Sequence, residues 1–103
     1  MKTRIITKKF TLTDDVRDWI EKKLSKLDKF FDDNAEMTVC FSRRHDKEMV
    51  EITIRAGGLL FRGEDGGETF ANAIDSAVDS LERQIRKNKT KLGRRIRENA
   101  FQK

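Results

Sequence analysis

The fold class follows from residues 37–62, MTVCFSRRHDKEMVEITIRAGGLLFR. Apolar residues alternate with more polar ones twice in this segment, at Met37, Val39 and Phe41 and again at Val50, Ile52, Ile54 and Ala56. A period of two is typical of strands that bury one face. Residues 43–47 predict a polar turn between the two runs. Gly57 and Gly58 accept the positive φ angles of a tight hairpin turn and lead into a third run, residues 59–62. The segment therefore predicts three antiparallel strands joined as a meander.

An amphipathic helix is predicted upstream of this meander, over residues 14–31. Its apolar side chains recur at intervals of three and four residues: Val16, Trp19, Ile20, Leu24, Leu27 and Phe31. Thr13 is suited to cap its N-terminus, and the aspartates in its first turns and lysines near its end match the helix macrodipole. The preceding residues 3–10 are rich in β-branched side chains and predict a first strand.

A second amphipathic helix is predicted downstream, over residues 69–91, with Gly93 as a candidate for its end. The glycine-rich residues 63–69 predict a flexible connection to it. The element order is then β-α-β-β-β-α. Because each helix has a single apolar stripe, we expect an α+β fold in which both helices pack on one face of a four-stranded sheet and the other face meets solvent.

Composition predicts one small domain and argues against an enzyme. The 103 residues include no proline, and 40% of them are charged. No window is apolar enough to cross a bilayer and the N-terminus lacks a secretory signal, which predicts a cytoplasmic protein without a membrane partner. Cys40 has no partner for a disulfide, and the single histidine, His45, lies in a turn. Because neither a catalytic triad nor a metal site can be assembled, we expect no cofactor and no small-molecule substrate.

Positive charge is concentrated at the C-terminal end of the chain. The net charge is +5, yet residues 83–103 alone contain nine basic side chains and one acidic one. Arg83 can pair with Asp79, and Arg86 with Glu82, one helical turn earlier. The cations beyond them have no acid within four residues except for one glutamate: Lys87, Lys89, Lys91, Arg94, Arg95 and Arg97. They repel one another unless an external anion neutralises them, which predicts a nucleic-acid surface.

A second basic row is predicted on the first helix, where Lys22, Lys26 and Lys29 lie about one turn apart and Lys23 lies at the margin. Some of these have possible acidic partners nearby in sequence: Asp18 for Lys22, and Asp32 or Asp33 for Lys29. Two helices on one side of a sheet can present both rows to one groove, as a phosphate backbone would require. No exposed pattern of stacking aromatics is visible, so phosphate contacts rather than base reading are predicted.

Two segments resemble the ribosome hibernation-promoting factor and ribosome-associated inhibitor family. One is the second-helix run AIDSAVDSLERQIRKNKTKL, residues 73–92, with the preceding hairpin AGGLLFRGEDGGETF. The other is TLTDDVRDWIEKKLSKLDKFF, residues 11–31, which is similar to the first helix of that family in its cap, apolar stripe and lysines. The resemblance covers residues 3–95 and lies in the order of the segments rather than in a single motif.

The resemblance implies a ribosome hibernation factor that binds ribosomal RNA of the small subunit in the channel used by messenger and transfer RNA. Translation would then be inhibited during stress or stationary phase. The oligomeric state stays open, with a monomer expected. Together with the charge pattern, the resemblance predicts RNA-binding residues at the basic positions of both helices: Lys22, Lys23, Lys26, Lys29, Arg83, Arg86, Lys87, Lys89, Lys91 and Arg94.

The resemblance also predicts a ribosome-binding domain over residues 1–95 and a basic tail over residues 96–103. Longer family members continue through a linker into a second domain that pairs ribosomes. The run GRRIRENAFQK, residues 93–103, is more similar to the start of such a linker than to the end of a short member. We therefore expect either a natural short form or, in preference, an excised N-terminal domain.

Two other functions remain open from the residues themselves. A sheet with two helices on one face can span the minor grooves of duplex RNA, so a double-stranded RNA-binding module is one alternative. The same positive charge could dock on an acidic protein or an anionic membrane surface, which makes a basic protein-interaction domain the other.

Overall fold

The computed structural model describes residues 1–8, 11–31 and 33–87. Its elements in chain order are strand β1 (Lys2–Thr7), helix α1 (Asp14–Leu24), a 3₁₀ helix (Ser25–Phe30), strands β2 (Glu36–Arg44), β3 (Lys47–Ala56) and β4 (Leu59–Gly67), and helix α2 (Phe70–Lys87). The predicted order β-α-β-β-β-α and the α+β class are thus confirmed.

The four strands form one mixed sheet in the order β1-β2-β3-β4. The predicted antiparallel meander of β2, β3 and β4 is confirmed, and β1 joins it in parallel to β2. Gly57 and Gly58 have φ angles of 58° and 79°, as a two-residue hairpin turn requires. The other hairpin turns at His45 and Asp46, so Arg43, Arg44 and Lys47 lie in strands rather than in the predicted turn.

The first helical segment starts where the sequence predicts but changes type before its end. The Val16 amide donates to Thr13 Oγ1 at 3.3 Å, which confirms Thr13 as the N-cap. Helix α1 ends at Leu24, and the chain continues as a 3₁₀ helix. At this junction the Ser25 hydroxyl donates to the Lys22 carbonyl oxygen at 2.6 Å, and such a local bond competes with regular helical pairing.

Both helical segments and one sheet face enclose the core. Helix α2 buries one stripe, and α1 with the 3₁₀ helix buries another. Both stripes pack against the inward positions of the strands, as the alternation predicts. The core comprises Leu12, Ile20, Leu24, Leu27, Phe31, Ala35, Met37, Val39, Phe41, Val50, Ile52, Ile54, Ala56, Phe61, Ala73, Ile74, Ala77, Val78, Leu81 and Ile85.

The prediction of a flexible connection over residues 63–69 is wrong for most of that segment, because β4 continues to Gly67. The glycines serve close packing here. A Cβ atom on Gly63 would lie 3.1 Å from Leu81 Cγ, and one on Gly67 would lie 3.2 Å from the Ala73 amide nitrogen. The absence of side chains therefore allows α2 to lie directly on β4.

Helix α2 begins one residue later than predicted, after Thr69, whose Oγ1 accepts a hydrogen bond from the Asn72 amide at 3.1 Å. Its description ends at Lys87, so the predicted end near residue 91 lies outside the described residues. Within the described ranges, neither helix has the length and apolar character needed to cross a membrane.

Candidate nucleic-acid interface

The cations predicted on the first helix lie on two consecutive elements. Lys22 and Lys23 belong to the last turn of α1, and Lys26 and Lys29 belong to the 3₁₀ helix. Because a 3₁₀ helix has three residues per turn, Lys26 and Lys29 lie one above the other. Lys23 is partly buried, whereas the other three are exposed. The predicted basic row is therefore present, although its spacing is not that of a single α-helix.

Ion pairs connect this row to α2. Lys23 Nζ lies 3.3 Å from Asp75 Oδ1, and Lys29 Nζ lies 3.8 Å from Glu82 Oε1. The later cation of the first segment, Lys29, pairs with the later acid of α2, Glu82. The two segments therefore run in the same direction. The predicted partner of Lys29 was an acid at the end of its own helix. This is wrong for Asp33, whose carboxylate lies 3.8 Å from the N-terminal ammonium group, and Asp32 lies outside the described residues.

Aromatic rings hold several of these cations in place. Lys23 Nζ lies 5.3 Å from the ring centroid of Trp19. On the partly buried ring of Phe30, Lys29 Nζ lies 5.2 Å and the Arg86 guanidinium carbon 5.6 Å from the centroid. Cations within about 6 Å of a ring face are attracted by its quadrupole. Phe30 therefore brings a lysine of the 3₁₀ helix and an arginine of α2 to the same place.

Glu82 is the acidic centre of the contact between the helices. Arg86 Nη2 donates to Glu82 Oε1 at 3.0 Å, which confirms the predicted pair one turn apart. This hydrogen bond is the main cause that lowers the pKa of Glu82 below its ordinary value, and the charges of Arg86, Lys29 and Lys26 lower it further. Partial burial opposes the shift. Glu82 thus stays ionised and offsets part of the positive charge around it.

Four exposed cations complete the surface: Lys22, Lys26, Arg83 and Lys87. Within the described part of the chain, none of them makes an ion pair. Two predicted pairs are accordingly wrong in the structure, since Asp18 does not bridge to Lys22 and Asp79 does not bridge to Arg83. We name these four, with Lys23, Lys29 and Arg86, the basic helix surface. Three further predicted contacts, Lys89, Lys91 and Arg94, lie outside the described residues.

Charge is distributed along both helical segments in the same direction. Residues 14–30 contain five acids and five bases, and most of these acids lie in the first half of the segment. Helix α2 contains three of each, and its acids, Asp75, Asp79 and Glu82, all precede its bases. Because the two segments run in the same direction, their basic ends lie side by side. Neither segment has a net charge, so the basic helix surface is positive through this separation rather than through an excess of cations in the described helices.

An open apolar hollow lies at the opposite, N-terminal ends of the helices. It has a volume of about 380 Å³, and its lining includes Val16, Trp19 and Phe70. The titratable side chains that line it are Asp15 and Glu48, and Glu48 pairs with Arg43 at 3.6 Å. Among the described residues, no group of three His, Cys, Asp or Glu side chains is arranged to hold a metal ion. The hollow thus provides no evident catalytic constellation.

Comparison with known proteins identifies similar sequences and a similar solved structure. A ribosome hibernation promotion factor of Bacillus subtilis (strain 168) is 43% identical over 90 residues, which cover 84% of this chain and 48% of the relative. One of Lactococcus lactis subsp. cremoris (strain MG1363) is 37% identical over 89 residues, with the same two coverages. The crystal structure of the Thermus thermophilus Protein Y N-terminal domain is similar with a TM-score of 0.74 and 35% identity, and the match covers 84% of this chain and 98% of that domain.

The match to a protein family extends over nearly the whole chain. The chain spans about half the length of the two curated relatives above. The family described as "Sigma 54 modulation protein / S30EA ribosomal protein" matches residues 3–93, which include every element of the fold except the first residue of β1. This agrees with the resemblance found in the two helical segments and the β3–β4 hairpin. The chain therefore belongs to the Sigma 54 modulation protein / S30EA ribosomal protein family.

Proposed function

We propose that this chain binds the small ribosomal subunit in the channel for messenger and transfer RNA and thereby inhibits translation. The observation that carries the proposal is the basic helix surface, in which ion pairs and a shared aromatic ring hold cations of two neighbouring segments side by side. The relatives from B. subtilis and L. lactis bear the name of ribosome hibernation promotion factors, which supports a ribosomal partner.

The chemistry of the surface favours contacts with phosphate groups. Lys22, Lys26, Arg83 and Lys87 are exposed and make no ion pair within the described residues, so a polyanion can neutralise them at little cost. Lysines supply point charge, and arginine can clamp a phosphate with two hydrogen bonds. The phenylalanines of the described part are buried or partly buried, which leaves no row of rings for base stacking. Binding should therefore follow the shape and charge of the RNA.

The paired cations have a different part in this proposal. Lys23, Lys29 and Arg86 each pair with an acid, which offsets part of their positive charge. The pairs of Lys23 and Lys29 join the first segment to α2, and Arg86 contacts that segment through the ring of Phe30. We therefore assign direct phosphate contacts to the four unpaired cations and a positioning role to these three. Lys89, Lys91 and Arg94 remain predicted contacts that would extend the surface beyond Lys87.

The same proposal covers the remaining properties of the chain. Residues 1–95 would form the ribosome-binding domain, and residues 96–103 would begin a connection to a further segment. A ribosomal partner places the protein in the cytoplasm. Inhibition would be steric, because a domain that fills the channel competes with transfer and messenger RNA, and no catalytic step is required.

Sedimentation with purified small ribosomal subunits tests the proposal. We expect one chain per subunit, displacement of bound transfer RNA, and no displacement of the chain by a moderate excess of duplex RNA. If about six cations release counterions, affinity should fall by roughly four to five decades per decade of salt concentration. Equal competition by duplex RNA would favour a double-stranded RNA-binding module, and an affinity that does not change with salt would contradict phosphate binding.

A further inference from the structure

The sheet face that points away from the helices carries a second group of cations. In the register of the strands, these positions alternate with the core positions, and partners in adjacent strands share a face. The face carries six basic side chains and three acidic ones. The basic residues are Lys2, Arg4, Arg44, Lys47, Arg55 and Arg62, and the acidic residues are Glu36, Glu51 and Glu64. We name these nine residues and the positions between them the outer sheet face.

Like charges lie directly opposite each other at one end of this face. Arg44 and Lys47 are register partners that flank the turn at His45 and Asp46, and both side chains are exposed. Like charges directly opposite each other destabilise a strand pair. Within the described part of the chain, neither residue makes an ion pair. An arrangement that costs folding stability, and in which neither cation makes an ion pair, points to an anion that binds there.

A second pair of arginines lies further along the face. Arg4 on β1 and Arg62 on β4 occupy one row across all four strands, with Thr38 and Thr53 between them. Three strand spacings of about 4.8 Å separate them by about 14 Å. The row therefore presents a guanidinium group at each edge of the sheet and two hydroxyl groups between, all of which can donate to phosphate oxygens.

The acids on this face neutralise only part of its charge. Glu51 accepts a hydrogen bond from the Arg62 guanidinium, and this bond is the main cause that raises the pKa of Arg62. Glu36 lies opposite Lys2 on one side and Arg55 on the other. Among the described residues, the Arg62–Glu51 contact is the ion pair that joins side chains of this face. An excess of positive charge remains.

We propose that the outer sheet face is a second surface for the phosphate backbone of RNA, on the side of the domain opposite the basic helix surface. This proposal rests on the proposed function, since it requires that the domain, when it is bound in the channel, contacts RNA on two opposite sides. Among the described residues of this face, Leu60 on the edge strand β4 is the one large apolar side chain that is exposed rather than partly buried, with 61% of its surface accessible. Protein interfaces usually have an apolar centre, whereas spaced cations suffice for phosphates.

The test compares variants of the 103-residue chain for binding to small ribosomal subunits and to small-subunit ribosomal RNA freed of protein. Arg44→Gln with Lys47→Gln removes two charges from the outer sheet face. We expect the slope of log affinity against log salt to become shallower by roughly 1.4 to 1.8, as two lost phosphate contacts predict. The variant should also unfold at the same temperature or higher, because it removes the repulsion between the two side chains.

A matched pair of variants separates the effect of this face on binding from the effect of net charge. Glu64→Lys lies on the face, and Asp14→Lys lies in the first turn of α1 on the helix side of the sheet, with the same change in charge. We expect Glu64→Lys to tighten binding and Asp14→Lys to leave it nearly unchanged. Equal effects of the two, or an unchanged salt slope in the Arg44 and Lys47 variant, would overturn the proposal and leave an acidic protein as the occupant to consider.

The variant Lys26→Gln with Arg83→Gln distinguishes failure of this inference from failure of the proposed function. If that variant loses affinity while the outer sheet face variants bind as the wild type does, only the second surface is wrong. A wild-type chain that binds neither the subunit nor its RNA would overturn both proposals.

Discussion

The ammonium group of Lys29 lies 3.8 Å from the carboxylate of Glu82, so an acid of α2 is placed among cations of the 3₁₀ helix. The same carboxylate accepts a hydrogen bond from Arg86. An anion at the centre of a surface proposed to bind RNA weakens that surface electrostatically, yet it holds its neighbours in fixed positions. Replacing it should therefore have opposite effects on folding and on binding.

We expect Glu82→Gln to tighten RNA binding and to lower the free energy of unfolding by up to about 1 kcal/mol, since its partners are exposed and such pairs contribute little. Urea denaturation measures the stability, and a salt titration of subunit binding measures the affinity. A variant that binds more weakly than the wild type would show that the positioning role of Glu82 outweighs its charge. Asp79→Gln on the same helix is a control, because it removes one negative charge from a side chain without an ion pair among the described residues.

The stability contributed by Glu82 should depend on pH in a defined direction. Its pKa in the folded chain lies below the ordinary value of 4.5. The unfolded chain therefore takes up the proton first, so the stabilisation is present above that ordinary value and is lost as the pH falls through the lowered pKa. Thermal unfolding of the wild type and of Glu82→Gln should differ near neutral pH and converge in acid. A difference that persists unchanged in acid would argue against the ionised carboxylate as its origin.

The unpaired cations of the basic helix surface can be tested with a double substitution and a control arginine substitution elsewhere on the domain. Lys26→Gln with Arg83→Gln should reduce subunit affinity and make its salt dependence shallower by roughly 1.4 to 1.8, while unfolding changes by less than about 0.5 kcal/mol. Arg43→Gln is the control, because Arg43 is also exposed but lies near the opposite ends of the helices. Similar losses of affinity per charge removed in the two variants would indicate an effect of total charge rather than of the basic helix surface.

Gly63 should tolerate a methyl group poorly. A Cβ atom there meets Leu81 Cγ at 3.1 Å and the Ala77 carbonyl oxygen at 3.4 Å, both in the contact with α2. We expect Gly63→Ala to lower the free energy of unfolding by about 1 to 3 kcal/mol. Gly66→Ala is the comparison, because the atoms nearest to its Cβ are the flexible end of Met49, which can move aside. Urea denaturation of both variants measures the difference, and equal losses would refute this explanation.

Removal of the N-cap tests the start of the first helix. Thr13→Ala should cost about 1 kcal/mol, because the Val16 amide loses its side-chain acceptor. Thr13→Ser retains the acceptor and should be nearly neutral. The same denaturation experiment is sufficient, and a loss of equal size in the serine variant would place the effect in packing of the Thr13 methyl group.

Local patterns explain why most of the fold could be predicted. Alternation at Met37, Val39 and Phe41, the turn at Gly57 and Gly58, and the cap at Thr13 each act over a few residues, so the sequence alone reveals them. The role of Gly63 could not be read this way, because the helix that packs against it is contributed by a later segment. A glycine in a flexible loop and a glycine under a helix look the same in sequence.

The candidate site shows the same division between local and distant contacts. The Glu82–Arg86 pair spans one helical turn and was predictable from spacing. The partners of Lys23 and Lys29 lie more than fifty residues away in sequence, and no short-range rule would have found them. The cations of the outer sheet face were missed for a related reason, since single charges scattered over four strands form a group only when the register is known.

The parallel position of β1 has a consequence for the order of folding. Among the described strands, β1 pairs with β2 alone, and the whole first helical segment separates the two in sequence. Tight turns, in contrast, join β2, β3 and β4. Closing the longer loop costs more entropy, so β1, although it precedes the other three strands in the chain, should be the last of the four to dock. Its backbone amides would then exchange with solvent through partial opening while the rest of the sheet stays closed.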